Sequence, residues 1–182
     1  LYRLLEAPEA REHDLSSLQT IYYGASPMSP ARLRQLRERF GDVFVQIYAG
    51  SEHAGAAASM SKDEHQPDRN GDESHLASAG RIVPGVELLI VDRQGRRVPD
   101  GLDGEIWMRS RATCLGYLNA PEKTAEEFCD GYWKSGDYGR IDANGYVYIL
   151  DRVKDTIRYN DRNVYPSLVE VALSAHPGVL MA

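Results

Sequence analysis

Residues 18–48 decide the fold, and they read LQTIYYGASPMSPARLRQLRERFGDVFVQIY. The stretch Leu18–Tyr23 is rich in β-forming residues, and the turn-forming sequence Gly-Ala-Ser-Pro follows it at 24–27. The pattern predicts a strand that ends near Tyr23.

An amphipathic helix is predicted after this turn. Ser29 followed by Pro30 is a typical helix start, with an N-cap residue and a proline in the first turn. Apolar residues then recur at spacings of three and four, and a glycine closes the pattern: Leu33, Leu36, Phe40 and Gly41. Since Val43–Tyr48 is a second buried-looking strand, the order strand, helix, strand favours a parallel pair in an α/β sheet.

The ligand-binding edge of such a sheet follows from its geometry. In open α/β sheets, ligands bind beyond the carboxyl ends of the strands. Residues 24–27 and 48–52 both occupy that position. We therefore expect a binding site where these two segments meet.

The chain changes character after this unit. Residues 59–75 are polar and rich in Asp, Glu, Asn, Gly and Ser, which predicts a surface loop. Short strands separated by Gly, Pro and Asp turns then predict a small β-barrel-like unit: Val86–Val91, Gly104–Arg109 and Gly145–Leu150. A charged junction at 151–155 leads to a helix predicted over Pro166–Ala175, which Pro177 ends. The expected fold class is α/β followed by a small β-barrel-like unit.

Composition excludes several classes of protein. The chain has 182 residues, of which 42% are hydrophobic and 26% charged, so a packed core is expected rather than disorder. A formal charge of -6 gives no basic field for nucleic acid, and no apolar run approaches the roughly 20 residues of a membrane span. The two cysteines, Cys114 and Cys129, are expected to be free and reduced, which favours a cytoplasmic location.

Five short motifs follow one another along the chain: Tyr48-Ala-Gly-Ser-Glu52, Gly104-Glu105, Gly116-Tyr117, Ser135-Gly-Asp137 and Asp151-Arg-Val-Lys-Asp155. Taken singly, their members are ordinary turn or surface residues. In this order they resemble the core motifs of the adenylate-forming superfamily, which includes acyl-CoA synthetases, luciferases and peptide-synthetase adenylation domains. Other stretches share the likeness, which covers nearly the whole chain: Gly80-Arg81, Pro84-Gly85, Pro121–Phe128 and Asn163–Pro166.

The resemblance implies a partial adenylate-forming-enzyme fold in three parts. Residues 1–75 would be an α/β segment of the large N-terminal domain, 76–150 a β-barrel-like subdomain, and 151–182 a hinge with the beginning of the small C-terminal domain. Asp151 corresponds to the hinge position about which that small domain rotates between two half-reactions. A plain turn residue is the alternative interpretation of Asp151.

The resemblance also implies a nucleotide site for ATP and AMP. Tyr48 would stack on adenine, a contact worth roughly 1–3 kcal/mol. Asp137 would accept both ribose hydroxyls, and Arg152 would bond the ribose and phosphate side as a fixed cationic fork. The family loop that passes the adenine and the acyl carbonyl corresponds to four residues: Gly24, Ala25, Ser26 and Pro27.

The catalytic residues implied by the resemblance are Ser51, Glu52 and Lys154. Ser51 offers a hydroxyl to the α-phosphate and Glu52 a hard carboxylate to Mg²⁺, although this chain has Ala49 and Ser51 where the family usually has Gly and Thr. Lys154 would lie near the acyl-adenylate or the thiol. The alternative interpretation, given equal weight, is that Lys154 is an exposed residue of the junction with no catalytic role. Asn160 and Asp161 stand where the family commonly has two glycines, beside the channel through which coenzyme A enters. Both residues can adopt left-handed backbone, yet their side chains would narrow this channel.

The function implied is ATP-dependent activation of a carboxylic acid, such as a fatty acid, to acyl-AMP, followed by transfer to coenzyme A as part of a longer enzyme. Two alternatives stay open: loading of a carrier-protein thiol, and a non-catalytic nucleotide-binding fragment. The family's phosphate loop and its C-terminal catalytic lysine have no counterpart in residues 1–182. We therefore expect this segment alone to be inactive, and the sequence does not identify the carboxylic acid.

Overall fold

The structure is a computed structural model that describes residues 1–7, 12–26, 28–160, 162–174, 176, 178 and 179. Helix α1 (Tyr2–Glu6) precedes strand β1 (Ile21–Gly24), helix α2 (Pro30–Phe40) and strand β2 (Phe44–Gly50). Strands β1 and β2 pair in parallel. The predicted strand, helix, strand unit is therefore confirmed.

Helix α2 covers one face of this parallel pair. Its Leu33 and Leu36 are fully buried and pack with Tyr23 of β1 and Phe44 of β2. These contacts arise because residues three apart on a helix share a face, and every second residue of a strand shares a face of the sheet. The hydrophobic pattern of residues 18–48 thus forms one side of a core.

The first sheet gains two further strands, one on each side of most of the segment predicted as a surface loop, 59–75. Strand β3 (His53–Met60) pairs antiparallel with β2, and β4 (Arg81–Ile82) pairs antiparallel with β3, giving the order β1-β2-β3-β4. Two short 3₁₀ turns, Asp63–His65 and Ser74–Ala77, lie between them and bury His65 and His75. The loop prediction for 59–75 was therefore wrong in part, because residues 59 and 60 belong to β3 and the side chains of His65 and His75 are buried.

The second sheet is a curled half-barrel, as predicted. Its strands run in the order β5-β6-β8-β7, and β9 also pairs with β8. Helix α3 (Pro121–Glu127) precedes β7. The strand bounds are β5 (Glu87–Val91), β6 (Gly104–Arg109), β7 (Phe128–Cys129), β8 (Tyr132–Ile141) and β9 (Val147–Arg152). The ten-residue β8 is central because it pairs with β6, β7 and β9 at different points along its length.

One hydrophobic core joins the two sheets. Ile106, Met108 and Val147 of the half-barrel are fully buried and belong to the same cluster as Ala57 and Ala58 of β3. Alanine has a short side chain, so β3 can lie close to the second sheet. This packing holds the end of β2 beside β8 and β9.

The final described elements form a hairpin and a helix. Strands β10 (Ile157–Tyr159) and β11 (Arg162–Val164) pair with each other, and helix α4 (Pro166–Ser174) follows. The predicted helix is confirmed over Pro166–Ser174, while residue 175 and Pro177 lie outside the described residues. Within the described part of the chain, no helix is long and apolar enough to cross a membrane. Cys114 and Cys129 are both free thiols, as predicted.

The buried face of α2 provides a test of this core. We expect Leu36→Ala to lower the free energy of unfolding by about 2–5 kcal/mol, because the substitution leaves a cavity against Tyr23 and Phe44. Glu38→Ala on the exposed face of the same helix is the control, with an expected change within about 0.5 kcal/mol. Urea unfolding followed by circular dichroism measures both, and equal changes would contradict the assigned helix face.

Candidate functional site

A cleft of about 530 Å³ opens where the two sheets meet helix α4. It is lined by the loop after β1, the end of β2, the segment 77–79, parts of β8 and β9, and the first turns of α4. Seven of the predicted site residues line it: Gly24, Ala25, Ser26, Tyr48, Asp137, Asp151 and Arg152. Residues 24–26 thus meet the end of β2 at this cleft, as expected, through Tyr48 and Ala49.

The loop after β1 has tightly constrained backbone. A Cβ atom on Gly24 would lie 2.1 Å from the carbonyl oxygen of Ile47, so only glycine fits beside β2 at this position. The next residue, Ala25, has a φ of 67°, which is unusual for a residue with a side chain. Such backbone outliers cluster at functional sites and ligand clamps. Pro27 lies outside the described residues.

The carboxylate of Asp137 is the polar centre of the cleft. Tyr48 Oη donates to Asp137 Oδ2 at 2.6 Å, and Arg152 Nη1 donates to Asp137 Oδ1 at 2.7 Å. Burial and the neighbouring Asp137 charge raise the pKa of Tyr48, so its phenol stays protonated and acts as a donor. Each carboxylate oxygen has a second lone pair, which leaves Asp137 able to accept further hydrogen bonds.

Strand pairing explains this arrangement. Asp137 of β8 and Arg152 of β9 are direct partners in the antiparallel ladder, so their side chains share one face. Ser135 holds the backbone of Asp137 in place. Its Oγ accepts a hydrogen bond from the Asp137 N–H at 3.0 Å and donates one to the Ile106 carbonyl at 2.7 Å. The sequence contained Ser135 within a motif but gave it no role.

Asp151 connects the cleft wall to helix α4. Its Oδ2 accepts from the backbone N–H of Ser167 at 3.0 Å, in the first turn of the helix, and Ser167 Oγ contacts the carbonyl of Leu150. A carboxylate at this end of a helix bonds a backbone donor that otherwise lacks an intrahelical partner. The predicted hinge residue is therefore also an anchor for α4 in this structure.

Glu52 lies in a separate cluster that does not line the cleft. Tyr117 Oη donates to Glu52 Oε1 at 2.6 Å and also contacts a carboxylate oxygen of Glu127. Lys123 Nζ lies 3.7 Å from Glu127 Oε1 and 4.3 Å from the centre of the Tyr117 ring. Contacts with Tyr117 and Lys123 lower the pKa of Glu127, so this carboxylate is ionised. Sequence reasoning did not assign Tyr117 or Glu127 to the site.

The carboxylate oxygens of this cluster suit a hard cation, but they supply only some of the ligands that such a cation needs. Glu52 and Glu127 offer carboxylate oxygens to a phenol that has a single hydrogen, so their lone pairs are not all used. Magnesium in proteins is commonly held by one or two carboxylates together with substrate phosphates. Among the residues that the structure describes, no group of three His, Cys, Asp or Glu side chains forms a complete metal cage. The residues fit a cation that shares its coordination with a bound phosphate.

The other predicted residues lie outside the cleft lining. Ser51 is exposed in the turn between β2 and β3, and Lys154 is exposed in the turn after β9. Asn160 has a φ of 53°, the left-handed backbone expected of it. Asp161 lies outside the described residues, so the channel that Asn160 and Asp161 were predicted to narrow stays a prediction.

Two curated relatives align with nearly all of the chain. The medium/long-chain fatty-acid–CoA ligase FadD8 of Mycobacterium tuberculosis is 40% identical over 98% of the chain, and the fatty acid–[acyl-carrier-protein] ligase ScoC of Streptomyces coeruleorubidus is 36% identical over all of it. The chain spans 30% of the length of the first and 34% of the second.

Solved structures show the same fold. The amide bond synthetase McbA of Marinactinospora thermotolerans superposes with a TM-score of 0.87 at 38% identity, with 99% of this chain matching 36% of that one. The anthranilate CoA ligase AuaEII, solved in complex with anthranoyl-AMP, superposes with a TM-score of 0.86 at 27% identity, with 99% of this chain matching 33% of that one. The predicted partial adenylate-forming-enzyme fold is confirmed.

A family model places the chain among proteins that bind AMP. The model described as AMP-binding enzyme matches residues 1–118, which is more than half of the chain and includes the loop after β1 and the end of β2. This match and the curated relatives confirm the resemblance that the motifs indicated. The chain belongs to the AMP-binding enzyme family.

Proposed function

We propose that this chain is part of an enzyme that uses ATP to activate a carboxylic acid as acyl-AMP and then transfers the acyl group to coenzyme A. The observation that carries the proposal is the constellation of Tyr48, Asp137 and Arg152 at one cleft, in a chain of the AMP-binding family. The constellation offers an aromatic ring, a carboxylate and a guanidinium to one small molecule.

Each of these groups matches a part of AMP. The free lone pairs of Asp137 suit the two hydroxyls of a ribose, and Arg152, about half exposed, can extend toward a phosphate while it holds the carboxylate. Gly24 and Ala25 line the same cleft as Tyr48, and we propose that a flat base lies against this backbone and the Tyr48 ring. Solved relatives include an AMP complex and an acyl-adenylate complex, which supports an adenylate as the ligand.

Coenzyme A is the acceptor that we propose. FadD8 and AuaEII are described as CoA ligases, whereas ScoC is described as a ligase for acyl-carrier protein. A carrier-protein thiol is therefore the second candidate, favoured by the 36% identity to ScoC. Product analysis with coenzyme A and with carrier protein, each offered with the same fatty acid, distinguishes them. We propose a fatty acid as the substrate because the curated relatives FadD8 and ScoC both act on that class.

We propose that Glu52 and Glu127 hold Mg²⁺ together with a substrate phosphate. When bound, Mg²⁺ supplies positive charge against the phosphate oxygens. The Tyr117 hydroxyl contacts both carboxylates and would orient the pair. Ser51 in the same turn is proposed to bond the α-phosphate, and Lys154 to lie near the acyl group or the thiol after a change in domain arrangement.

Residues 1–75, 76–150 and 151–182 are proposed to be parts of a large domain, its β-barrel-like subdomain and a small domain. Asp151 is proposed as the hinge between the last two. Support comes from its place near the end of β9, one residue before an exposed turn, where a backbone rotation would move the β10–β11 hairpin and α4 together.

The ribose contact gives a direct test of the cleft. We expect Asp137→Asn to weaken AMP binding by about 10- to 100-fold, since the amide offers fewer acceptor lone pairs and loses the charge that holds Arg152. Isothermal titration with AMP measures the loss. Asp100→Asn, in an exposed turn whose side chain pairs only with exposed Arg97 at 3.5 Å, is the control. Unchanged AMP affinity in Asp137→Asn would remove this residue from the site.

The proposed cation contact predicts a change in metal dependence. Glu52→Gln should raise the Mg²⁺ concentration needed for half-maximal acyl-AMP formation several-fold, because a neutral amide is a poor ligand for a hard cation. Glu126→Gln, an exposed residue of α3 near the same cluster, should leave the Mg²⁺ titration unchanged. Superimposable titrations for Glu52→Gln and the unmutated enzyme would count against the assignment.

Two substitutions of Asp151 separate the role of its side chain from the role of its backbone. Asp151→Ala removes the carboxylate that caps α4 but leaves the backbone free, whereas Asp151→Pro also fixes φ near -65°. We expect both variants to form acyl-AMP, and only Asp151→Pro to slow thioester formation from preformed acyl-AMP, by tenfold or more. Pyrophosphate exchange and single-turnover thiol transfer measure the two steps. Equal rates of thiol transfer in the two variants would show that Asp151 is not a hinge.

A further inference from the structure

A buried histidine joins the first sheet to the loop that carries Tyr117. His53, the first residue of β3 and the chain neighbour of Glu52, is only 1% exposed. Its Nδ1 lies 3.1 Å from the carbonyl oxygen of Gly55, and its Nε2 lies 2.8 Å from Ser110 Oγ. Because a carbonyl oxygen only accepts, Nδ1 is the donor to Gly55, and the far nitrogen of the ring is left to bond Ser110.

Backbone hydrogen bonds make this contact part of a larger attachment. The segment 110–114 lies antiparallel to the start of β3. The Ala54 N–H donates to the Ala112 carbonyl at 3.0 Å, and the Cys114 N–H donates to the Glu52 carbonyl at 2.8 Å. The attachment therefore holds the backbone of Glu52 itself.

Ser110 is the residue around which this segment turns. Its Oγ accepts from the Ala112 N–H at 2.9 Å, and its own N–H donates to Thr113 Oγ1 at 2.9 Å. The hydroxyl that meets His53 is thus the same one that closes the turn. The buried imidazole therefore fixes both the position and the shape of the segment.

The same loop brings two carboxylates together. Tyr117 lies three residues after the attached segment, and its hydroxyl contacts both Glu52 and Glu127. Its N–H donates to Thr124 Oγ1 of helix α3 at 2.8 Å, and Glu127 is the last residue of that helix. Glu52 and Glu127 are distant in the chain, so they meet through a loop whose other end is anchored to β3.

We propose that His53 is a positioning residue for the cation site, because through Ser110 it anchors the loop 110–117 so that Glu52 and Glu127 bind one divalent cation together. The inference rests on the proposed function, since it needs the cation that this pair is proposed to hold with a substrate phosphate. Partners behind the direct ligands of a metal commonly set its affinity, and Mg²⁺ demands near-ideal geometry. A loose loop separates the two carboxylates and removes a ligand from the cation, while the nucleotide cleft keeps its shape.

The two hydrogen bonds of His53 can be removed one at a time. The shorter amide in His53→Asn can still donate to the Gly55 carbonyl but does not reach Ser110. The longer amide in His53→Gln places a polar group near the position of Nε2 and can bond Ser110 again. The pair of variants therefore isolates the contact that anchors the loop.

Binding of Mn²⁺ to the complete enzyme that contains residues 1–182 measures the effect. Mn²⁺ takes the same oxygen ligands as Mg²⁺, and electron paramagnetic resonance gives its dissociation constant from the enzyme saturated with AMP. We expect His53→Asn to raise this constant about tenfold, and His53→Gln to bring it back to within about threefold of the unmutated enzyme. His13→Asn, at an exposed histidine, is the control and should leave the constant unchanged.

A double substitution distinguishes positioning from a general loss of structure. In a Glu127→Gln background one of the two carboxylates is already lost, so adding His53→Asn should weaken Mn²⁺ binding by no more than about twofold further. AMP affinity without a metal ion, measured by isothermal titration, should be unchanged in His53→Asn. The inference would be overturned by additive effects of the two substitutions, or by a parallel loss of AMP and Mn²⁺ binding.

The unmutated enzyme provides a test that needs no substitution. If the anchored loop supports the cation, the cation must stabilise the anchored loop in return, because coupling between two sites is reciprocal. Mn²⁺ added to the AMP-bound enzyme should therefore slow hydrogen exchange at the amides of Ala54 and Cys114, while exchange in helix α2 stays constant. Unchanged exchange at these two amides would overturn the inference, and this measurement decides the question if His53→Asn does not fold.

Glu52→Gln separates the inference from the proposed function. If the unmutated enzyme binds no Mn²⁺, or if Glu52→Gln leaves the dissociation constant unchanged, the proposed cation site fails and the inference fails with it. If Glu52→Gln weakens Mn²⁺ binding and His53→Asn does not, the inference alone fails.

Discussion

The interaction on which the rest of the cleft depends is the buried contact of Asp137 with Tyr48 and Arg152. A carboxylate that is only 7% exposed is costly unless its oxygens are hydrogen-bonded, and here each oxygen has a charged or buried donor. Tyr48 belongs to the first sheet, whereas Asp137 and Arg152 belong to the second. The same contact therefore satisfies a buried charge, joins the two sheets and leaves acceptor capacity on the cleft side.

The small side chains of β3 make that contact possible. Ala57 and Ala58 let the first sheet approach the half-barrel, and the shared core with Ile106 and Met108 fixes their separation. The Tyr48 hydroxyl can then reach Asp137 at 2.6 Å. A larger residue at Ala57 or Ala58 would push the sheets apart, since protein cores have no space for added volume. The packing of β3, a strand that does not itself line the cleft, thus sets the geometry within it.

Two further groups of polar residues differ in their surroundings. Gln46, Tyr23 and His65 are buried beneath the cleft and are held by hydrogen bonds to one another and to backbone. Glu52, Tyr117 and Glu127 are partly exposed and lie apart from the cleft lining. The Glu52 and Glu127 carboxylates of the second group suit a hard cation together with a phosphate.

The sequence by itself determined the strand, helix, strand unit, the curled second sheet and the family, because periodicity, turn residues and ordered motifs are local properties. It also named Tyr48, Asp137 and Arg152. It missed β3, whose Gly and Ala residues carry no strand pattern, and it missed Tyr23, His65, Glu127 and Ser135. Tyr23, His65 and Ser135 acquire a role through partners distant in the chain, as with Tyr23 and His65, 42 residues apart. Contacts of that kind are set by the packing of the two sheets, and only the tertiary structure decides them.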